Sequence, residues 1–194
     1  MRTIHVIGDS HSGAFTLINN GTEYPLPPFK QHYIPGATAY NLISSNSESN
    51  SNYLLNEALK DVQPNDIVLL WFGEIDCRHH IFQRLGTGEK IEQLIKNTVN
   101  NYSIKLEELK NRNIKFAVIS VPPCNREQSI PEDRIKRYIH ETFNKMLEEE
   151  CKNKGYNYID VYDVARDENG FIDPKWSRNY ECRWFASIPD RQSY

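Results

Sequence analysis

A hydroxyl stands at the end of the first apolar run of this chain. Residues Thr3-Ile4-His5-Val6-Ile7 give way to Gly8-Asp9-Ser10-His11-Ser12, so Ser10 falls where a strand hands over to a helical turn. A serine at such a turn is presented at the carboxyl edge of a sheet, with the amides of the turn behind it to receive negative charge. The chemistry open to it is nucleophilic attack on an acyl carbon. The same residues also suit a plain helix N-cap, since Asp and Ser both accept the first free amides of a helix. Asp9 fits that capping role better than a chemical one.

A hydroxyl is a weak nucleophile until its proton is taken, so Ser10 needs a base. The chain has six histidines, His5, His11, His32, His79, His80 and His140. His5 lies inside a strand pattern and His140 inside an amphipathic helix pattern, and both read as structural. His11 adjoins Ser10, but neighbouring side chains on a turning backbone seldom face each other. His32 precedes Gly36 and is expected to line the cleft. The segment Phe72-Gly73-Glu74-Ile75-Asp76-Cys77-Arg78-His79-His80 holds an Asp-x-x-His spacing from Asp76 to His79, which makes His79 the candidate base. Glu74, Asp76, Arg78, His79 and His80 also read as a polar, partly ion-paired cluster at a strand end. A metal is the other use for such residues, but the sequence places no third ligand beside them, so none is predicted.

Gly8-Asp9-Ser10 after the first strand, Gly36 after a second and Gly73-Glu74-Ile75-Asp76 after a third resemble the first three blocks of the SGNH/GDSL hydrolases. The resemblance runs over residues 3 to 176. It implies an α/β fold, a three-layer α/β/α sandwich around a five-stranded parallel sheet of the flavodoxin-like SGNH type. It implies Ser10 as nucleophile, an oxyanion hole from the amides of Ser10 and Gly36 with an Asn side chain of the third block, and a base from a C-terminal Asp-x-x-His. No cofactor is implied. The expected substrate is a small-molecule or glycan ester, with small acyl groups on a carbohydrate as the family analogy.

This chain departs from the pattern twice. Where the third block has Asn, position 75 is Ile, which offers no hydrogen-bond donor, and the loss of one oxyanion donor costs about 100 to 1,000-fold in rate. Asp76 accepts when ionised and cannot take over. Arg78 is the substitute donor the sequence offers, with Glu74 and Asp76 supporting the site.

The second departure is at the tail. No histidine follows His140, and after Asp173-Pro174-Lys175-Trp176 the chain reads Ser177-Arg178-Asn179-Tyr180-Glu181-Cys182-Arg183-Trp184-Phe185-Ala186-Ser187-Ile188-Pro189. If the codons of Cys182 to Pro189 are read one nucleotide forward, Trp184-Phe185 must yield Gly. With AT-rich codons for the neighbours the shifted frame reads Val-Asp-Gly-Leu-His-Leu-Tyr, which contains the missing Asp-x-x-His. A frameshift just before Cys182 is therefore one expectation, and residues 177 to 194 are the atypical part of the domain.

The elements that must position these residues alternate. Ile4 to Ile7, His32 to Ile34, Ile67 to Phe72, Ile114 to Val121 and Tyr156 to Val161 are short, β-branched or aromatic runs bounded by breakers, the signature of buried strands. Helical spacing runs from Lys90 to Asn111 and from Pro131 to Asn153. Strand and helix in alternation predict a parallel sheet, whose ligands bind at the strands' carboxyl ends. Ser44 to Asn52 is a polar, low-complexity stretch expected to be a mobile surface loop.

At 194 residues, 39% of them hydrophobic, the chain suits one domain over its whole length. A net charge of -3 gives no electrostatic case for nucleic acid or an anionic membrane, and no run approaches a membrane span. The first strand begins almost at Met1, which leaves no signal peptide and predicts a cytoplasmic protein. The four cysteines, Cys77, Cys124, Cys151 and Cys182, have no metal-ligand spacing and are expected to be reduced thiols.

Three functions fit these readings to different degrees. The first is an esterase built on Ser10. The second is a catalytically impaired relative that keeps the cleft to bind a glycan or acyl ligand, since the base and the Asn donor are missing. A flavodoxin-like nucleotide binder is disfavoured by the lack of a Gly-rich phosphate loop after the first strand.

Overall fold

The computed structural model describes residues 2–19, 22–126 and 130–176. The first strand, β1 (Ile4–Gly8), lies inside a five-stranded sheet. It pairs in parallel with β4 (Phe29–Tyr33) on one side and β5 (Ile67–Trp71) on the other, and β6 (Phe116–Ile119) and β7 (Asn157–Ile159) complete the order β4-β1-β5-β6-β7. This is the parallel α/β sheet expected from the alternating pattern. The observed strands fall close to the expected ones. The largest shift is β4, which begins at Phe29 and takes in Lys30 and Gln31, as an edge strand with solvent on one flank can.

Alternation along the strands sorts the core into two faces. Ile7, Val68, Leu70 and Val118 face one side, where they meet Leu55 and Leu59 of α1 (Ser51–Leu59), Leu94, Tyr102 and Leu106 of α3 (Ile91–Asn111), and Phe143 and Leu147 of α4 (Ile130–Lys154). Val6, Leu69, Trp71, Ala117 and Ile119 face the other side, packed against Phe15, Phe29 and Val161. That second face carries an apolar groove of about 670 Å³ lined by Phe15, Phe29, Trp71, Ile119 and Val161 among others.

The long helices follow their sequence signals. α4 has Glu132 and Asp133 in its first turn and Lys152 and Lys154 in its last, each sign placed to favour the helix dipole. Asn144 ties it to the sheet, accepting from the Val121 amide and donating to the Val121 carbonyl, both at 2.8 Å. Two features lie outside the sequence reading. A small antiparallel hairpin, β2 (Thr16–Asn19) with β3 (Thr22–Pro25), follows the first turn. And the stretch expected to be a mobile loop already enters α1 at Ser51, which is fully buried. Cys77 and Cys151 are buried free thiols, and Cys124 is buried. No helix among the described residues is long and apolar enough to cross a membrane.

Candidate functional site

Because β1 lies between β4 and β5, the turns that follow these three strands leave the sheet side by side at its carboxyl edge. The register aligns Gly8 with Tyr33 and with Trp71, so Ser10, Gly36 and the Gly73 to Arg78 segment all emerge there. Close backbone contacts hold them together. The Ile34 amide donates to the Gly8 carbonyl at 2.8 Å, and the Asp9 amide to the Trp71 carbonyl at 3.3 Å. A Cβ at Gly8 would lie 2.3 Å from the Trp71 oxygen, so only glycine allows this approach. Gly73 sits at φ 116°, and a Cβ there would strike the Phe143 ring at 2.7 Å.

Asp9 caps the turn that carries Ser10, as its sequence suggested. Its Oδ1 accepts from the His11 amide and from His11 Nδ1, each at 2.9 Å. The carboxylate is fully buried, His11 is 7% exposed, and the imidazole tilts against Trp71 with ring centres 5.7 Å apart. Burial opposes a charge on His11, but the Asp9 carboxylate beside it, with Glu74 beyond, prevails and raises its pKa above the ordinary histidine value. Ser10 is half-buried, and among the described residues its hydroxyl makes no hydrogen bond to an imidazole.

The segment after β5 winds from Asp76 to His80 as one wide, π-type turn and continues into the short helix α2 (Ile81–Gln83). Such turns are frequent at functional sites. Here the turn separates Asp76 from His79. Both oxygens of Asp76 point to the second-block turn, accepting from the Ala39 amide at 2.7 Å and the Tyr40 amide at 3.2 Å. His79 is exposed, contacts Arg78, and has its pKa lowered by burial of part of the ring and by the Arg78 charge. The structure thus does not make the Asp76–His79 pair suggested by the spacing. Asp76 instead fastens the Gly36 loop to the third block. Burial pushes its carboxyl up to about 7, against the pull of the Ala39 and Tyr40 amides.

Glu74 is 7% exposed and grips Arg78 through Nε at 2.5 Å and Nη2 at 3.3 Å. Burial works against its charge, but His11 and Arg78 hold its pKa below the usual glutamate value. Arg78 is partly exposed at the same edge as Ser10. His32 does not line this cleft. Its Nε2 lies 2.9 Å from His5 Nδ1, and His5 Nε2 lies 3.2 Å from an Asp66 oxygen, so the two histidines are joined to each other and to Asp66. His5 is structural, as expected.

Two groupings escaped the sequence reading. One ligand atom each from Asp9, His11 and Glu74 lie within 4.8 Å of one another, a third ligand that only the adjacency of β1 and β5 supplies. His140, on α4, donates from Nδ1 to the Pro122 carbonyl at 2.9 Å, and its Nε2 is buried without a hydrogen-bond partner. Burial lowers its pKa, while the charges of Glu74, His11 and Arg78 all act on it. The helical pattern around His140 gave no signal of this. Residues 177 to 194, where a C-terminal Asp-x-x-His was sought, lie outside the described residues.

No family model matches the sequence, and no curated protein matches it. Solved structures do match the fold. A GDSL-like lipase from Bacteroides thetaiotaomicron aligns with a TM-score of 0.56 at 15% identity, covering 90% of this chain and 76% of that one. An acetyl xylan esterase aligns with a TM-score of 0.52 at 13% identity, covering 95% and 100%. A phospholipase A1 from Streptomyces albidoflavus aligns with a TM-score of 0.54 at 10% identity, covering 87% and 84%. With its parallel sheet order and its flanking helices, the chain has the fold of the SGNH/GDSL hydrolases.

Proposed function

We propose that this chain is built as an acyl-ester hydrolase with Ser10 as its nucleophile, acting on a small-molecule or glycan ester that carries a small acyl group. The observation that carries the reading is the convergence of Ser10, Gly36 and Arg78 on one sheet edge, fastened by Asp76 through the Ala39 and Tyr40 amides. In this reading the Ser10 oxygen attacks the ester carbonyl and the carbonyl oxygen takes the negative charge. The amides of Ser10 and Gly36 receive that charge, with Arg78, oriented by Glu74, in place of the donor that Ile75 lacks. The alcohol leaves with a proton, and water then releases the acyl group from Ser10 by the reverse sequence.

The base is the missing part. His79 lacks a carboxylate partner in Asp76, so we assign the base to the Asp-Gly-Leu-His of the shifted frame across Cys182 to Pro189. A second reading, a glycan- or acyl-binding relative without turnover, draws on the lack of an imidazole hydrogen bond to Ser10 among the described residues. Hydrolysis of p-nitrophenyl acetate decides between them. Turnover lost in Ser10→Ala supports the hydrolase, and ligand binding without turnover in the frame-restored protein supports the binding relative.

A further inference from the structure

We infer that Tyr33 and the polar segment of residues 44 to 50 form a subsite for a neutral sugar ring, which is the alcohol half of the ester. The inference deepens the proposed hydrolase by naming its substrate class, and it rests on that reading for the placement of the ester at Ser10.

Tyr33 is the last residue of β4, and the register sets it opposite Gly8, two residues before Ser10. Side chains alternate along a strand, so Tyr33 shares the strand face of Phe29 and Gln31. That face meets the turn carrying Ser10. Gln31 Nε2 donates to Ser12 Oγ at 3.0 Å, and Phe29 packs against Phe15 with ring centres 4.6 Å apart. Tyr33 continues the row to the carboxyl edge of the sheet, where it is 53% exposed. A ring left this open offers a flat apolar face with a polar tip. Partial burial and the Asp9 carboxylate raise its pKa above the ordinary tyrosine value, so the hydroxyl keeps its proton and can donate.

Gly36, three residues after Tyr33, has polar neighbours. A Cβ on Gly36 would lie 3.7 Å from the Ser49 Cβ, which brings the run Ser44-Ser45-Asn46-Ser47-Glu48-Ser49-Asn50 to the second-block turn. The run is held in turns. The Asn46 amide donates to Ser44 Oγ at 3.3 Å, the Asn50 amide to the Ser47 carbonyl at 2.9 Å, and the Asn50 carbonyl accepts from the Leu54 amide of α1 at 2.9 Å. Its hydroxyls and carboxamides supply both donors and acceptors.

A sugar ring has the matching chemistry, a face of C–H groups for the tyrosine and a rim of hydroxyls for the serines and asparagines. A lipid alcohol would cover those polar groups without giving them partners. An alcohol bearing phosphate or carboxylate would meet the negative charges of Asp9 and Glu48, and Arg78 at the same edge already serves Glu74. Contacts to the sugar, away from the reacting carbon, would hold the ester carbonyl at Ser10.

The test is titration of the full chain carrying Ser10→Ala, which cannot turn the ligand over, with monoacetylated glucose, galactose and xylose and with ethyl acetate as the sugarless ester, followed by saturation-transfer NMR. The expected result is that at least one sugar acetate binds more tightly than ethyl acetate. Adding Tyr33→Ala should then weaken the sugar acetate about threefold to tenfold, the range of one aromatic contact. Tyr33→Phe keeps the ring and should restore most of the binding, and Tyr138→Ala, on α4 and bonded to Glu92, should change nothing. Circular dichroism checks the fold of each variant. Sugar binding that is absent, that is unchanged in Tyr33→Ala, or that is lost equally in Tyr33→Phe overturns the subsite. Failure of the hydrolase reading looks different: sugar binding that depends on Tyr33 while the frame-restored chain with Ser10 intact turns over no acetyl ester keeps the subsite and removes the enzyme.

Discussion

Asp76 and Ala39 are joined across the mouth of the site by a 2.7 Å hydrogen bond in which a fully buried carboxylate accepts a backbone amide. The other oxygen accepts from Tyr40 at 3.2 Å. This single side chain fixes the loop bearing Gly36 to the turn bearing Arg78, so the geometry of two blocks rests on one carboxyl. Its titration follows from burial, which moves its pKa up to about 7.

The raised pKa sets the sign of a pH effect. In the folded chain Asp76 holds its proton up to about pH 7, whereas the unfolded chain releases it near 3.8. The folded state therefore binds more protons across that window, and the contribution of Asp76 to stability falls as pH rises through it. Asp76→Asn cannot titrate and keeps one acceptor of the two. We expect the variant to be destabilised, and by a larger margin at pH 5 than at pH 8, because wild type loses its advantage as the buried carboxyl ionises. Other titrating groups cancel in the comparison. Thermal unfolding of both proteins at the two pH values checks this, and a difference independent of pH contradicts the assignment.

Arg78→Ala is expected to lower the esterase rate of the frame-restored protein by about 10 to 1,000-fold if the guanidinium stands in for the missing donor. It also leaves Glu74 buried without its ion-pair partner, which costs stability in its own right. The two effects separate by readout. A donor role lowers kcat and is partly recovered in Arg78→Lys, while a purely structural role moves the unfolding temperature and leaves kcat intact in the folded fraction.

A fluorophosphonate probe should label Ser10, and the adduct should vanish in Ser10→Ala. The probe is best applied to the frame-restored protein, since activation of the hydroxyl needs the base. Mapping the adduct by mass spectrometry to any other serine removes Ser10 from the nucleophile's role.

The sheet was legible in the sequence because buried parallel strands are written as short β-branched runs, as in Ile67-Val68-Leu69-Leu70. The long helices were legible because Leu94, Ile95, Val99, Tyr102 and Leu106 recur at one face of a helix. The common edge for Ser10, Gly36 and Gly73 followed from their place after three strands. The pairings inside the site were not legible. Asp76 and His79 have the spacing of a dyad, but a wide turn sends one to the Gly36 loop and the other to solvent. His32 looked like a cleft residue, yet its Nε2 lies 2.9 Å from His5 Nδ1 in the sheet. Spacing along the chain carries no record of which way a side chain turns, and the closeness of Asp9 to Glu74 arises only once β1 lies against β5.

The last expectation concerns the tail. A general base contributes about 100 to 10,000-fold by proton transfer, and members of one catalytic unit fail together when one is lost. On the proposed reading, in which Ser10 attacks, the Ser10 and Gly36 amides hold the oxyanion and no base stands beside Ser10 among the described residues, only a slow residual rate is expected. Deleting one nucleotide just before the codons of Cys182 to Pro189 should encode Asp-Gly-Leu-His and raise acetyl-ester turnover at least tenfold, a threshold set below the low end of the base's contribution. The gene itself provides the first check, since Trp184-Phe185 fixes only the Gly and the other codons are free to disagree. Codons unable to spell that tetrapeptide in the shifted frame end the frameshift reading. Full activity in the unrepaired chain, lost in His79→Ala, would instead return the base to His79, and the wide turn after Asp76 would then have to reorient during the reaction.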